Sequence, residues 1–202
     1  MEGLAGPLEE KQQEFISRGM NKIDQLLTLI NELLDIARIE AGQHVQHHVP
    51  IDIEQIIKDT LALIKVRADE KSITLTYRCE NLRPVHGDPK SIEEVFSNLV
   101  TNAINYSPES GNVDVTAQGL GEYMEIKVTD TGVGIDPEEL PKIFDKFYRV
   151  KHPKTRQVMG TGLGLAIVKG IIDAHRGTID VESIPDKGTT FRILLPIIES
   201  NE

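Results

Sequence analysis

Residues 98–108 read Asn98-Leu-Val-Thr-Asn102-Ala-Ile-Asn-Tyr106-Ser107-Pro108. Asn98 and Asn102 are four apart, so on a helix both amides project from one face. A buried amide costs stability unless it finds hydrogen-bond partners. Two of them on an otherwise apolar helix therefore suit a surface turned toward a ligand; they equally suit a polar outer face or a cap. Asp88 or Ser91 starts this helix as its cap, and the helix runs to about Asn105. Beyond it, Val113 to Ala117 and Tyr123 to Thr129 form a hairpin around Gly119 and Gly121. Leu163 to His175 is a helix closed by Gly177, followed by strands over Thr178 to Ser183 and Thr189 to Pro196. Upstream, Ile53, Ile56, Ile57, Leu61 and Ile64 mark an amphipathic helix, and Ile73 to Cys79 alternates as a strand. Helices and hairpins mix without strict alternation, which predicts an α+β sheet with helices on one face.

The first forty residues have a different character. Residues 8 to 41 contain no proline, and Ile16, Met20, Ile23, Leu27, Ile30, Leu34 and Ala37 alternate at spacings of four and three. That is a coiled-coil-like seam on one long helix. Leu26, Leu29, Leu33 and Ile36 widen it, so the helix is expected to meet more than one neighbour: a plain support helix, or half of an intermolecular bundle. Gly42 ends it and residues 43–50 read as a linker, which divides the chain into 1–48 and a unit over 49–202 long enough for one core of its own. With 22 Lys and Arg against 32 Asp and Glu, the net charge of −10 argues against a nucleic-acid binder. One cysteine, Cys79, excludes an internal disulfide, and no apolar run reaches the ~18 residues of a membrane span. A cytoplasmic setting follows as the expectation.

Three more stretches carry chemistry. Asp130-Thr131-Gly132-Val133-Gly134-Ile135 follows a strand, with glycines that let backbone approach a flat ligand; Asp with Gly is also an ordinary turn signal. Gly160-Thr161-Gly162-Leu163-Gly164-Leu165 runs into a helix, whose N-terminal amides make an anion site. It is neither a P-loop nor a dinucleotide fingerprint. Between them lies Phe144-Asp-Lys146-Phe147-Tyr148-Arg149, and residues 146 to 156 hold five basic side chains, Lys151 among them, and no acidic one. This reads as a lid over a triphosphate, mobile without nucleotide across about 148–161, or as a solvated basic loop.

Together and in this order, these stretches resemble the N, G1, F, G2 and G3 boxes of bacterial two-component sensor histidine kinases. The last box is Lys187-Gly-Thr-Thr-Phe191, and Leu33-Leu-Asp-Ile-Ala-Arg-Ile-Glu-Ala-Gly42 resembles the end of that family's second dimerisation helix. The resemblance implies a Bergerat-type ATP-binding sandwich, a mixed sheet with helices on one face. It also implies ATP and Mg²⁺ as cofactors and transfer of the γ-phosphoryl to a histidine. A response regulator receiver domain, a dimerisation hairpin carrying that histidine, and a homodimer in the full-length protein are the implied partners.

Carried over by motif, Asp130 accepts from the adenine amino group, and Gly132 and Gly134 let the backbone close on the base. Asn102 ligates Mg²⁺, Asn98 positions metal and phosphates, Tyr106 packs near adenine, and Arg149 reaches the γ-phosphate; Asn98 and Arg149 are the implied catalytic pair. Gly160, Thr161, Gly162, Leu163 and Gly164 shape the lid hinge and the phosphate-facing helix, with Lys151 in the lid and Thr189 in the last box. Ile135, Ile143, Phe144 and Leu165 are expected pocket walls or core.

The pattern departs from the family at three points. Asn105 stands where a Lys or Arg often precedes the aromatic, so one phosphate contact falls to another residue such as a lid lysine. Asp186 stands at the first glycine of the last box. No acceptor box is present: none of His44, His47, His48, His86, His152 or His175 is followed by an acidic residue and then Thr-Pro or Ser-Pro. His44, His47 and His48 suit a metal site or, with Gly and Pro neighbours, a flexible linker. Hydrolysing relatives such as gyrase and MutL place a Glu one turn before the metal-binding Asn, a position held here by Asn98. A nucleotide-binding scaffold that regulates a partner through its helix is the non-catalytic alternative.

Overall fold

The computed structural model describes residues 9–42, 49–150, 158 and 160–197. Its architecture is α+β: a five-stranded mixed sheet with three helices on one face, preceded by one long helix. Helix α1 (Glu10–Glu40) spans 31 residues, ~46 Å at 1.5 Å per residue. It stops at Gly42, whose φ of +66° is the left-handed conformation glycine supplies at helix ends. Helix α2 (Ile53–Glu70) begins where Asp52 accepts the amide of Gln55, and α3 (Pro89–Tyr106) where Asp88 accepts that of Lys90. Pro89 sits in the first turn of α3, and Pro108 forces Ser107 into extended backbone, so the helix ends one residue earlier. Helix α4 (Gly164–Ala174) is buried through Ile167, Val168, Ile171 and Ile172.

The strands are β1 (Val49–Ile51), β2 (Thr74–Glu80), β3 (Val85–Gly87), β4 (Asn112–Leu120), β5 (Tyr123–Asp130), β6 (Thr178–Ile184) and β7 (Gly188–Pro196). The main sheet runs β2-β4-β5-β7-β6, with β2 and β4 parallel and the other pairs antiparallel. Strands β1 and β3 pair separately as a short antiparallel ribbon that the residue pattern does not announce. Val113, Val115 and Ala117 of β4, and Met124, Ile126 and Val128 of β5, turn inward under the helices; their alternate neighbours face the other side.

Helix α1 uses two faces. Ile36 is buried and Leu29 and Ile39 are half-buried against the sheet domain. Ile39 lies over Gly170 of α4, where a Cβ would come within 2.6 Å of it, and Glu40 pairs with Lys146. The 4-3 seam points elsewhere: Ile16, Met20, Ile23, Leu27, Ile30 and Leu34 are each at least 40% exposed. The residues that widen the stripe are thus divided, since Leu26 and Leu33 stay with the exposed side. No helix among the described residues is long and apolar enough to cross a membrane. Of the residues read as a linker, 43–50, Val49 and Pro50 instead open strand β1, and 43–48, with His44, His47 and His48, lie outside the described residues.

Candidate functional site

A cavity of about 1030 Å³ opens between α3, the end of β5, the start of α4 and the flank of α1. Helix α3 brings Asn98, Asn102 and Tyr106 to it, as the i, i+4 spacing requires. The Asn98 amide donates to the Glu94 carbonyl at 3.1 Å, and its Oδ1 faces Gly164, where a Cβ would come within 2.7 Å. Asn102 is half-buried and makes no side-chain hydrogen bond among the described residues. An uncommitted amide oxygen on a cavity wall is a hard donor of the kind Mg²⁺ takes, so the residues present fit that ion.

Asp130 ends β5 at the floor of the cavity and is 7% exposed. Its Oδ1 accepts the amides of Gly132 at 2.7 Å and Thr189 at 3.2 Å. Oδ2 has no hydrogen bond among the described residues. Burial pushes the carboxyl up to about 6, against the pull of the two amides. The turn after it is tight: Val133 donates to the Tyr106 carbonyl, Asp186 donates to the Val133 carbonyl, and Gly134 has φ +69° with Ile184 backbone filling the space of a Cβ. Gly188, φ +120°, presses on the Asp130 carbonyl, where any Cβ would collide at 1.9 Å. Asp186 takes φ +57°, a left-handed conformation Asp tolerates, so the missing glycine of the last box leaves the turn intact.

Of the residues singled out in the sequence, Gly134, Ile135, Ile143, Leu165 and Thr189 also line the cavity. So do Gly160, Thr161, Gly162 and Gly164, with the Thr161 hydroxyl accepting the Leu163 amide at 3.2 Å. Gly132 is not a wall residue; it is buried beside Asp130, and a Cβ there would meet Oδ1 at 2.6 Å. Leu163 and Phe144 are not in the lining. Leu163 is fully buried at the start of α4, where it shapes the beginning of that helix. Phe144 takes the core side of its two expected places, packing edge-on against Phe191 with ring centres 6.4 Å apart. Arg149 lines the cavity, but its guanidinium donates to the carbonyls of Val158 at 2.6 Å and Gly160 at 3.0 Å, tying together the ends of the basic segment. Lys151 and the rest of 151–157 lie outside the described residues.

Asn105 lines the cavity as well; among the described residues Lys22 of α1 also lines it, and the lid lysines Lys151 and Lys154 lie outside them. The adjacent candidate, Lys71, gives its ammonium to the carbonyls of Ile104, Asn105 and Ser107 at 2.8, 3.2 and 2.9 Å. It caps the C-terminus of α3, which has no basic residue in its last turn. Sequence reasoning missed the part of the wall supplied by α1, where Gln25, Leu29 and Glu32 reach the cavity. Seam spacing marks a helix face as apolar but is silent about which polar residues flank it.

A family model described as "Histidine kinase-, DNA gyrase B-, and HSP90-like ATPase" matches residues 87–199. The sensor-like histidine kinase SenX3 of Mycobacterium tuberculosis is 35% identical over 94% of this chain and 46% of its own length. The non-motile and phage-resistance protein of Caulobacter vibrioides is 32% identical over the whole chain and 25% of its own. The chain thus spans between a quarter and a half of these curated relatives. Among solved structures, full-length ShkA in complex with AMPPNP aligns with a TM-score of 0.83 and 27% identity, covering 96% of this chain and 41% of ShkA. On these matches the chain belongs to the histidine kinase-, DNA gyrase B- and HSP90-like ATPases, on their sensor histidine kinase branch.

Proposed function

We propose that this chain holds MgATP and transfers its γ-phosphoryl group to a histidine on a dimerisation hairpin, working in the cytoplasm for a response regulator receiver domain. The observation that carries the reading is Asp130: a buried carboxyl with one oxygen saturated by backbone amides and the other left for a donor in the cavity. In this reading Asn102 holds the metal, Asn98 braces the wall beside it, and Tyr106 flanks the base. Arg149 turns from the Val158 and Gly160 carbonyls to the phosphates. Mg²⁺, when bound, supplies neutralisation of phosphate charge, and positioning does most of the rest in phosphoryl transfer. The histidine nitrogen attacks with its lone pair, the bond between the γ-phosphorus and the bridging oxygen breaks, ADP leaves, and the imidazole sheds its other N–H proton to solvent.

That chemistry needs no carboxylate base on α3, and none of the α3 residues lining the cavity is acidic. A hydrolysing reading would want one. The homodimer of the full-length protein is proposed to form through the exposed seam of α1. Radiolabelled ATP with an added hairpin that carries its histidine tests the whole reading. Label is expected on the hairpin, and Asp130→Ala and Asn102→Ala are each expected to lower transfer at least tenfold. Transfer that survives both substitutions, or phosphate released to water with none on the hairpin, would overturn it.

A further inference from the structure

Lys71 follows α2 directly and is half-buried, yet it does not line the cavity. Its ammonium is given wholly to backbone, with the carbonyls of Ile104, Asn105 and Ser107 at 2.8, 3.2 and 2.9 Å from Nζ. An ammonium has three protons, so these contacts leave none for a ligand. The carbonyl of Lys71 in turn accepts the Ser110 amide at 3.0 Å, so one residue holds the chain on both sides of Pro108.

The end of a helix leaves four carbonyls without helical partners. At the end of α3 each of them is met. Ala103 accepts the Ser107 amide at 3.1 Å, Ile104 and Asn105 accept Lys71, and Tyr106 accepts the Val133 amide at 3.1 Å. The Tyr106 carbonyl therefore lies in sequence between two that Lys71 holds, those of Asn105 and Ser107. Peptide units are planar, so fixing the units on either side leaves the one between them little freedom to turn. On that middle carbonyl rests the turn after Asp130: besides the bond to Val133, a Cβ on Gly132 would come within 2.7 Å of it. Val133, Gly134 and Ile135 of the same turn line the cavity.

We propose that Lys71 is a positioning residue for the nucleotide site: by holding the Asn105 and Ser107 carbonyls it aims the Tyr106 carbonyl at Val133, and so keeps the turn after Asp130 in place without touching the nucleotide. This rests on the reading of the cavity as a nucleotide site. Without the ammonium, the carbonyls at the end of α3 turn toward water and the turn loses its seat. The sheet beneath is held independently, since β5 is paired with β4 on one side and β7 on the other.

The experiment compares the 202-residue chain with Lys71→Met, which keeps the aliphatic stem and removes the donors. Two quantities are read: calorimetric affinity for MgADP, and hydrogen exchange of single amides without nucleotide. The variant is expected to bind MgADP at least fivefold more weakly and to exchange its Val133 amide at least tenfold faster. The Ile126 amide, in the middle of β5, is expected to stay within threefold of wild type. Weaker binding with Val133 exchange unchanged would make Lys71 a direct phosphate ligand and overturn the proposal. Faster Val133 exchange with affinity unchanged would reduce Lys71 to a helix cap and overturn it too. So would equal acceleration at Val133 and Ile126, which is general loosening, or no change in either quantity. All of these leave the nucleotide reading standing, whereas a wild type that binds no MgADP overturns that reading and this proposal with it. If circular dichroism shows Lys71→Met unfolded, Lys71→Gln, with two N–H donors on a shorter stem, takes its place and is judged by the same two quantities.

Discussion

Asp130 combines two conditions that rarely coexist without a ligand: near-complete burial and an oxygen with no donor among the described residues. Its carboxyl is raised to about 6 from an ordinary value near 3.8. The sign follows from which form each state favours. The folded chain holds the proton more tightly than the unfolded chain, so this group lowers stability as pH rises from about 4 through 6, and the loss is complete above that. A nucleotide that donates to Oδ2 favours the ionised form, so affinity should run the other way and rise through the same window. Calorimetry across pH 5 to 8 is expected to show roughly tenfold weaker ADP binding at pH 5 than on the plateau. Asp130→Asn should bind more weakly and lose that component, leaving only what the phosphates contribute. Superimposable profiles for the two proteins would remove Asp130 from base recognition. Spacing made Asn98, Asn102 and Asp130 legible in the sequence, since each sits in a pattern of amides or glycines. The hydroxyl of Ser183, which accepts the Ile135 amide and donates to the Gly188 carbonyl under the turn after Asp130, was not legible, because a serine at the end of an alternating strand looks the same whether it faces water or backbone.

On the sheet face away from the helices, β4, β5 and β7 are joined by one carboxylate. Glu125 of β5 is 3% exposed and meets Arg192 of β7, Lys127 of its own strand at 3.0 Å, and Gln118 of β4 at 2.7 Å. These partners outweigh the cost of burial and hold its carboxyl down to about 2. A depressed carboxyl contributes stability above its unfolded value and loses it as pH falls, here between about 4.5 and 2. Glu125→Ala is expected to cost about 1–3 kcal/mol at pH 7, because Arg192 loses its partner. Urea denaturation should show a smaller gap from wild type at pH 3 than at pH 7. A gap that does not change would assign the loss to packing instead of charge. Strand and helix identities were legible where apolar periodicity is sustained over seven residues or more. The β1–β3 ribbon was not, since three residues such as Val49-Pro50-Ile51 carry no period. Nor was the parallel pairing of β2 with β4, because alternation looks alike in either orientation.

At the scale of the whole molecule, α1 divides its surface between the ATP domain and solvent, and the histidines decide what the chain does alone. A phosphoacceptor needs a nitrogen lone pair, presented on a rigid surface where in-line attack on the γ-phosphorus is possible. His175 is 3% exposed; its Nε2 accepts the Asp88 amide at 3.0 Å and its Nδ1 lies 2.8 Å from the Ile171 carbonyl, so both nitrogens are occupied. Gly87 packs against the same ring so closely that a Cβ would come within 2.4 Å. His86 is half-buried on β3, and neither residue lines the cavity. The other four lie outside the described residues, three in the 43–48 stretch and one in the basic segment, and none has the sequence context of an acceptor. This chain is therefore expected to bind nucleotide without labelling itself. Adding a dimerisation hairpin with its histidine should give transfer in trans, slow because docking between separate molecules lacks the effective concentration a tether provides. The measurement is acid-labile, base-stable phosphate after incubation with radiolabelled MgATP, first on the chain alone and then with the hairpin. Label on the isolated chain would refute the expectation. Label mapped to His175 would further require the α4 terminus to open, since attack from that ring is impossible while the Asp88 amide and the Ile171 carbonyl hold it.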